Sequence, residues 1–204
     1  MKTDIITANP LGTERIGRLM VRYAIPSIIS IVVNSLYNMV DQIFIGQGVG
    51  YLGNAATNII LPVSSILLAL GFMIGDGTAS YMSLSLGKGD GKDAAYGVGN
   101  AITLTVGVSV ALLILFEIFL EPLCHLFGAT EGNLPYALEY GSIIILGFPF
   151  AMVDGAFGSI IRADGRPKVS MIGLLIGCVA NMILDPIFIF VCHWGVRGAA
   201  WATI

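Results

Sequence analysis

Residues 42–75 of this chain carry no charged side chain, and neither do residues 94–116. Apolar runs of that length constrain the fold more than any other feature. About 20 apolar residues suffice for a helix to cross a bilayer. Inside hydrocarbon every backbone N–H and C=O must find its partner within the protein, so only helices and closed barrels can span. Barrel strands would show short segments of alternating apolar and polar residues; here the apolar residues run on without alternation. Composition agrees, with 56% hydrophobic and 11% charged residues, where soluble domains carry about 25% charged. The fold class is therefore an all-α membrane protein, a polytopic bundle of transmembrane helices. The 26 glycines suit closely packed membrane helices. Two GxxxG pairs occur, Gly71/Gly75 and Gly173/Gly177, a pattern too common to define a contact by itself.

Taken in order, residues 1–14 are polar and expected to be loose or interfacial. No signal-peptide pattern precedes the first helix, which reads as a retained span. Transmembrane helices are expected at 16–46, 53–86, 94–120, 133–161 and 168–192, with the start of a sixth at 198–204. A short connection with an interfacial turn is expected at 121–132. Pro26, Pro62, Pro149 and Pro186 fall inside expected helices, where each removes a backbone donor and favours a kink. The clearest breaks are the loops GKGDGKD at 87–93 and RADGRPK at 162–168. Lys2, Arg15, Arg18, Arg22, Lys88, Lys92, Arg162, Arg166 and Lys168 fall on one side of five spans, and Arg197 on the other. The positive-inside rule then puts the N-terminus in the cytoplasm and leaves His125 and His193 as surface residues near the outer interface. Cys124, Cys178 and Cys192 form no CxxC and read as structural thiols. No basic tract suggests nucleic acid.

The polar residues inside spans are the informative ones. Ser27, Ser30, Asn34, Asn38 and Asp41 form one stripe on the first helix, at spacings of three, four, four and three. A charge at the centre of a span costs about 2.5–3.5 kcal/mol even on the lenient insertion scale, and such residues tend to be functional. Asp41 lies about one and a half turns from the outer end of its helix, and Asp185 about two turns from the outer end of the fifth. Asn181 is one turn deeper on the same face, and Thr203 about two turns into the sixth helix. Depth alone makes a shared pocket for Asp41, Asn181, Asp185 and Thr203 an expectation. Two carboxylates in a low-dielectric pocket need a proton or a cation between them, and the amide and hydroxyl oxygens suit Na⁺. Packing glue between helices is the structural alternative. Asp76 and Asp154, each beside a glycine in the inner half of a span, either line a cytoplasm-facing cavity or pair with basic loops. Asn34, Tyr37, Asn38 and Asn58 are further cavity-lining candidates, with Tyr37 also readable as a lipid or core contact. Glu117, Glu121 and Glu139 are expected to reach water. No HExxH, GxSxG, phosphate-binding GxxxxGK[ST] or Cys/His cluster occurs, so no enzyme is expected.

Over essentially its whole length the chain resembles the multidrug and toxic compound extrusion (MATE) transporters. The resemblance is carried by Pro26, VDQIFIG around Asp41, LGKGD after the second helix, IIRADGRPK after the fourth, NMILDPIFIF at 181–190 and GVRGAAWAT near the end. It implies two six-helix lobes, of which this chain would supply the N-terminal one, and a drug cavity between them. It implies export of cationic and amphipathic drugs against inward H⁺ or Na⁺, with no other cofactor, in the cell membrane. It implies a cation site at Asp41, Asn181, Asp185 and Thr203 and reshaping of the first helix around Pro26. The chain ends inside an apolar segment, as a truncated sequence would, with the C-terminal lobe missing. Two alternatives remain: a flippase for lipid-linked sugars, disfavoured by the lack of Lys or Arg in mid-span, and a half-transporter that does not transport.

Overall fold

The computed structural model describes residues 15–204. The polar segment 1–14, and Lys2 with it, lies outside the described residues. The described residues form helices joined by short turns. Helix α1 is Ile16–Gly48 and α2 is Tyr51–Gly87. Helix α3 is Gly91–Ile118, and the short α4 is Leu120–Leu126. Helices α5 (Leu134–Leu146) and α6 (Phe148–Ala163) follow. Helix α7 is Pro167–Pro186, continued by a π-helical turn at Ile187–Val191. Helix α8 is Val196–Thr203. Four spans are long and apolar enough to cross a membrane: α1, α2, α3 and Pro167–Val191. The bent pair α5–α6 makes a fifth. This is a multi-pass membrane protein.

Two of the expected spans differ from the structure, each at a proline. The single helix expected at 133–161 is two helices, α5 and α6, bent by 53° at Gly147. Pro149 is not an interior residue but lies in the first turn of α6, where no backbone N–H is missed. Gly147 is also where α8 arrives: a Cβ there would run into the Ile204 side chain. In the expected helix 168–192, α-geometry stops at Pro186. Without a proline N–H the ladder loses a rung, and the next turn widens so that Cys192 N–H donates to Ile187 O, 2.9 Å away. The segment 121–132, expected as a connection, contains the two-turn helix α4.

The turns are set by local polar chemistry. Between α2 and α3, Gly89 has φ +82° and Asp90 caps α3 by accepting from Asp93 N–H at 3.0 Å. The Asp93 carboxylate reaches back to α2, accepting from Tyr81 OH at 2.7 Å and Ser85 OH at 2.9 Å. Between α7 and α8, Trp194 stacks on Phe188 at 5.3 Å, and Trp194 N–H donates to Phe188 O.

The core runs along α2. Ile60, Val63 and Leu67 pack with Ile45 of α1, Phe116 of α3, Ile143 to Ile145 of α5 and Phe148 and Met152 of α6. Lipid is as apolar as these side chains, so close packing rather than water exclusion holds membrane helices together. The tightest crossing is α2 on α6. A Cβ on Gly71 would stand 3.5 Å from Met152 Cα, and one on Gly75 would stand 2.7 Å from Ala156 Cα. That GxxxG pair is a real backbone contact. The second pair, Gly173/Gly177, has nothing within 4 Å.

Candidate functional site

The polar stripe of α1 meets α7 and α8 near the α1–α2 turn. Asp41 (6% exposed), Asn181 (5%) and Asp185 (0%) are all buried. The Asp41 and Asp185 carboxyl groups face each other within hydrogen-bonding range. Asn181 Nδ2 donates to Thr203 Oγ1 at 3.4 Å, and Thr203 Oγ1 donates to Ala199 O at 2.9 Å. Residues from α1, α7 and α8 thus gather in one place. Helical spacing makes this possible on α7, because Asn181 and Asp185 are one turn apart on one face. On α8, Gly198 allows the approach: a Cβ there would stand 2.8 Å from the Phe188 carbonyl carbon.

The site leaves several acceptors unmet. Asp41 Oδ1, Asn181 Oδ1 and both carboxylate oxygens of Asp185 are buried with no hydrogen-bond donor. A buried acceptor without a partner costs about 1–3 kcal/mol, and more when charged. Four such oxygens in one pocket fit a proton shared between carboxyl groups or a hard cation such as Na⁺, which oxygen ligands suit. Among the described residues no cluster of three or more His, Cys, Asp or Glu side chains exists for a metal. Any Na⁺ held here would rest on two carboxylates completed by Asn181 and Thr203.

The remaining candidates separate. Tyr37 is half-buried and stands beside Thr203, within electrostatic range of Asp41 and Asp185. Asn34 and Asn38 lie exposed on α1 and serve each other: Asn38 Nδ2 donates to Asn34 O at 2.7 Å and to its Oδ1 at 3.2 Å. Asn58 is exposed and donates to Asn54 O at 2.8 Å. Asp76 and Asp154 are exposed on α2 and α6. Asp76 is about 28 Å along α2 from Thr57, at 1.5 Å per residue, so it belongs to another level of the protein. Pro26 is buried inside α1, about 22 Å along the helix from Asp41. Glu139, expected to reach water, is 34% exposed and also pairs with Arg197 across the α5–α8 boundary.

Sequence reasoning missed Tyr140. It is buried on α5 and stands beside Thr203, facing Asp41, Asp185 and Tyr37. Depth matching would have found it, since Tyr140 is about two turns in from the outer end of α5. Applied to two carboxylates, an amide and a threonine hydroxyl, that test was not extended to this phenol.

A family model described as MatE matches residues 26–187. The multidrug export protein MepA of Staphylococcus saprophyticus is 32% identical over 190 residues, covering 90% of this chain and 41% of that protein. MepA of Staphylococcus haemolyticus is 31% identical over 194 residues, covering 92% and 42%. The ligand-bound structure of the MATE multidrug transporter DinF-BH superposes with a TM-score of 0.88 at 37% identity, covering 94% of this chain and 43% of that one. The chain spans less than half the length of these relatives.

Proposed function

Because this chain belongs to the MatE family, we propose that it forms the N-terminal lobe of a multidrug exporter driven by inward H⁺ or Na⁺. The cargo class is cationic or amphipathic small molecules. In this reading the N-terminus is cytoplasmic and the protein works in the cell membrane. The observation that carries it is the buried set of acceptor oxygens around Asp41 and Asp185, with no donor to satisfy them. Such a pocket favours a state with a proton or cation bound. Asp41 is also one of only three buried residues on α1, with Pro26 and Ile45, so loading the carboxylate acts directly on how that helix is held. Asp185 keeps the second charge opposite, while Asn181 and Thr203 supply neutral oxygens and Tyr37 and Tyr140 close the pocket. Drug and cation then compete through α1, with Pro26 as the place to bend. The lack of Lys and Arg at 23–87, 93–161 and 169–196 suits a cationic rather than an anionic cargo.

The test uses the complete gene product in cells and in membrane vesicles. Asp41→Asn and Asp185→Asn are expected to abolish efflux of a lipophilic cation while expression stays normal. Efflux at the wild-type rate in both variants would overturn the proposal. Imposing a Na⁺ gradient and a pH gradient separately identifies the driving ion as the one that supports export.

A further inference from the structure

Gln42 has no role in the site described above, yet it touches it. It follows Asp41 on α1 but lies off the polar stripe, on the side toward α2. Its Nε2 stands 3.4 Å from Asp41 Oδ2 and 3.2 Å from Thr57 Oγ1. Thr57 is buried on α2, and its Oγ1 lies 2.9 Å from the Asn54 carbonyl. The amide Nε2 donates to the carboxylate and to the threonine hydroxyl, and Thr57 Oγ1 donates its own hydrogen either to Asn54 O or to Gln42 Oε1, 3.3 Å away. The two helices are close enough here for this to be a tight seam: a Cβ on Gly46 would stand 2.9 Å from Asn54 Nδ2.

We propose that Gln42 and Thr57 are a positioning pair that ties the Asp41 carboxylate to α2, so that cation binding at Asp41 weakens the hold of α2 on α1. The proposal rests on the coupling role assigned to Asp41 above. An N–H donor bonds a charged carboxylate about twice as strongly as a neutral one. A proton or Na⁺ on Asp41 removes that advantage, so the bridge and the cation compete for the same oxygen. The competition matters because Asp41 is one of the three buried residues on α1. The other titratable groups facing Asp41 are Asp185 on α7, Tyr37 on α1 and Tyr140 on α5. The bridge links the state of Asp41 to α2.

The experiment measures exchange of a fluorescent lipophilic cation in vesicles holding the complete gene product, with H⁺ or Na⁺ itself as the titrant. Gln42→Met keeps length and loses the donor; Thr57→Val keeps shape and loses the hydroxyl. Each is expected to lower the cation concentration at half-maximal exchange about three- to tenfold, the worth of one hydrogen bond. The double variant is expected to go no further than Gln42→Met, because both substitutions break one bridge. An unchanged half-maximal concentration in the single variants, or effects that multiply in the double, overturns the proposal. Should Gln42→Met fail to fold, Thr57→Val decides from the other end of the bridge. Asp41→Asn is run beside them. If it abolishes exchange while Gln42→Met and Thr57→Val titrate as wild type, the bridge alone fails. If it exchanges normally, the coupling reading fails and takes the bridge with it.

Discussion

Helices α1 and α2 have similar lengths, 33 and 37 residues, are similarly apolar, and are joined through Val49 and Gly50. They are held in opposite ways. On α2 the buried residues run from Gly53 to Ser85, and Gly71 and Gly75 bring its backbone against α6. On α1 they are Pro26, Asp41 and Ile45, while Met20, Ile28, Ile31, Leu36 and Met39 stay exposed. One helix is closely packed along its length; the other is buried at three points, one of them a carboxylate. Van der Waals packing is indifferent to protonation; a hydrogen-bonded carboxylate is not. The difference therefore separates a tightly packed frame, α2 with α6, from an element whose few buried residues include a carboxylate.

Five substitutions bear on that contrast. The largest effect is expected from Met152→Ala, which removes a fully buried side chain beside α2. It should destabilise the purified protein by about 2 kcal/mol or more. Leu36→Ala on α1, at a position 53% exposed, should stay within about 0.5 kcal/mol. Equal losses in thermal unfolding would erase the distinction. Next, Gly75→Ala forces a Cβ against the Ala156 backbone and should cost about 1–3 kcal/mol, while Gly173→Ala meets nothing and should change little. A costly Gly173→Ala would show that the second GxxxG pair has a partner in the complete protein. The smallest effect is expected from Glu139→Gln. Arg197 and Glu139 are 65% and 34% exposed, so their pair should be worth about 0.2–1 kcal/mol and fade with added salt.

The fold class was legible because apolar runs of this length admit one solution, and the four long spans plus the bent pair agree with it. The bend itself was not read. Gly147, Phe148 and Pro149 announce a helix start as readily as a kink, and only the neighbouring α8, with Ile204 against Gly147, distinguishes them. The two GxxxG pairs look alike as text; which one packs depends on a partner backbone that sequence does not display. At the site, Asp41, Asn181, Asp185 and Thr203 could be grouped by depth because ionic and amide groups inside a bilayer demand partners. Gln42 escaped that logic because it sits one residue off the stripe and faces another helix. Tyr140 escaped because a buried phenol is as often core as site.

The widened turn at Ile187–Val191 holds one residue more than an α-helical turn would. Such a turn can regain α-geometry only if everything beyond it advances by one residue, a screw motion of about 1.5 Å and 100°. What lies beyond is Trp194, the entry to α8 and, at its far end, Thr203. The segment therefore sets the register in which Asp185 and Thr203 meet at one pocket.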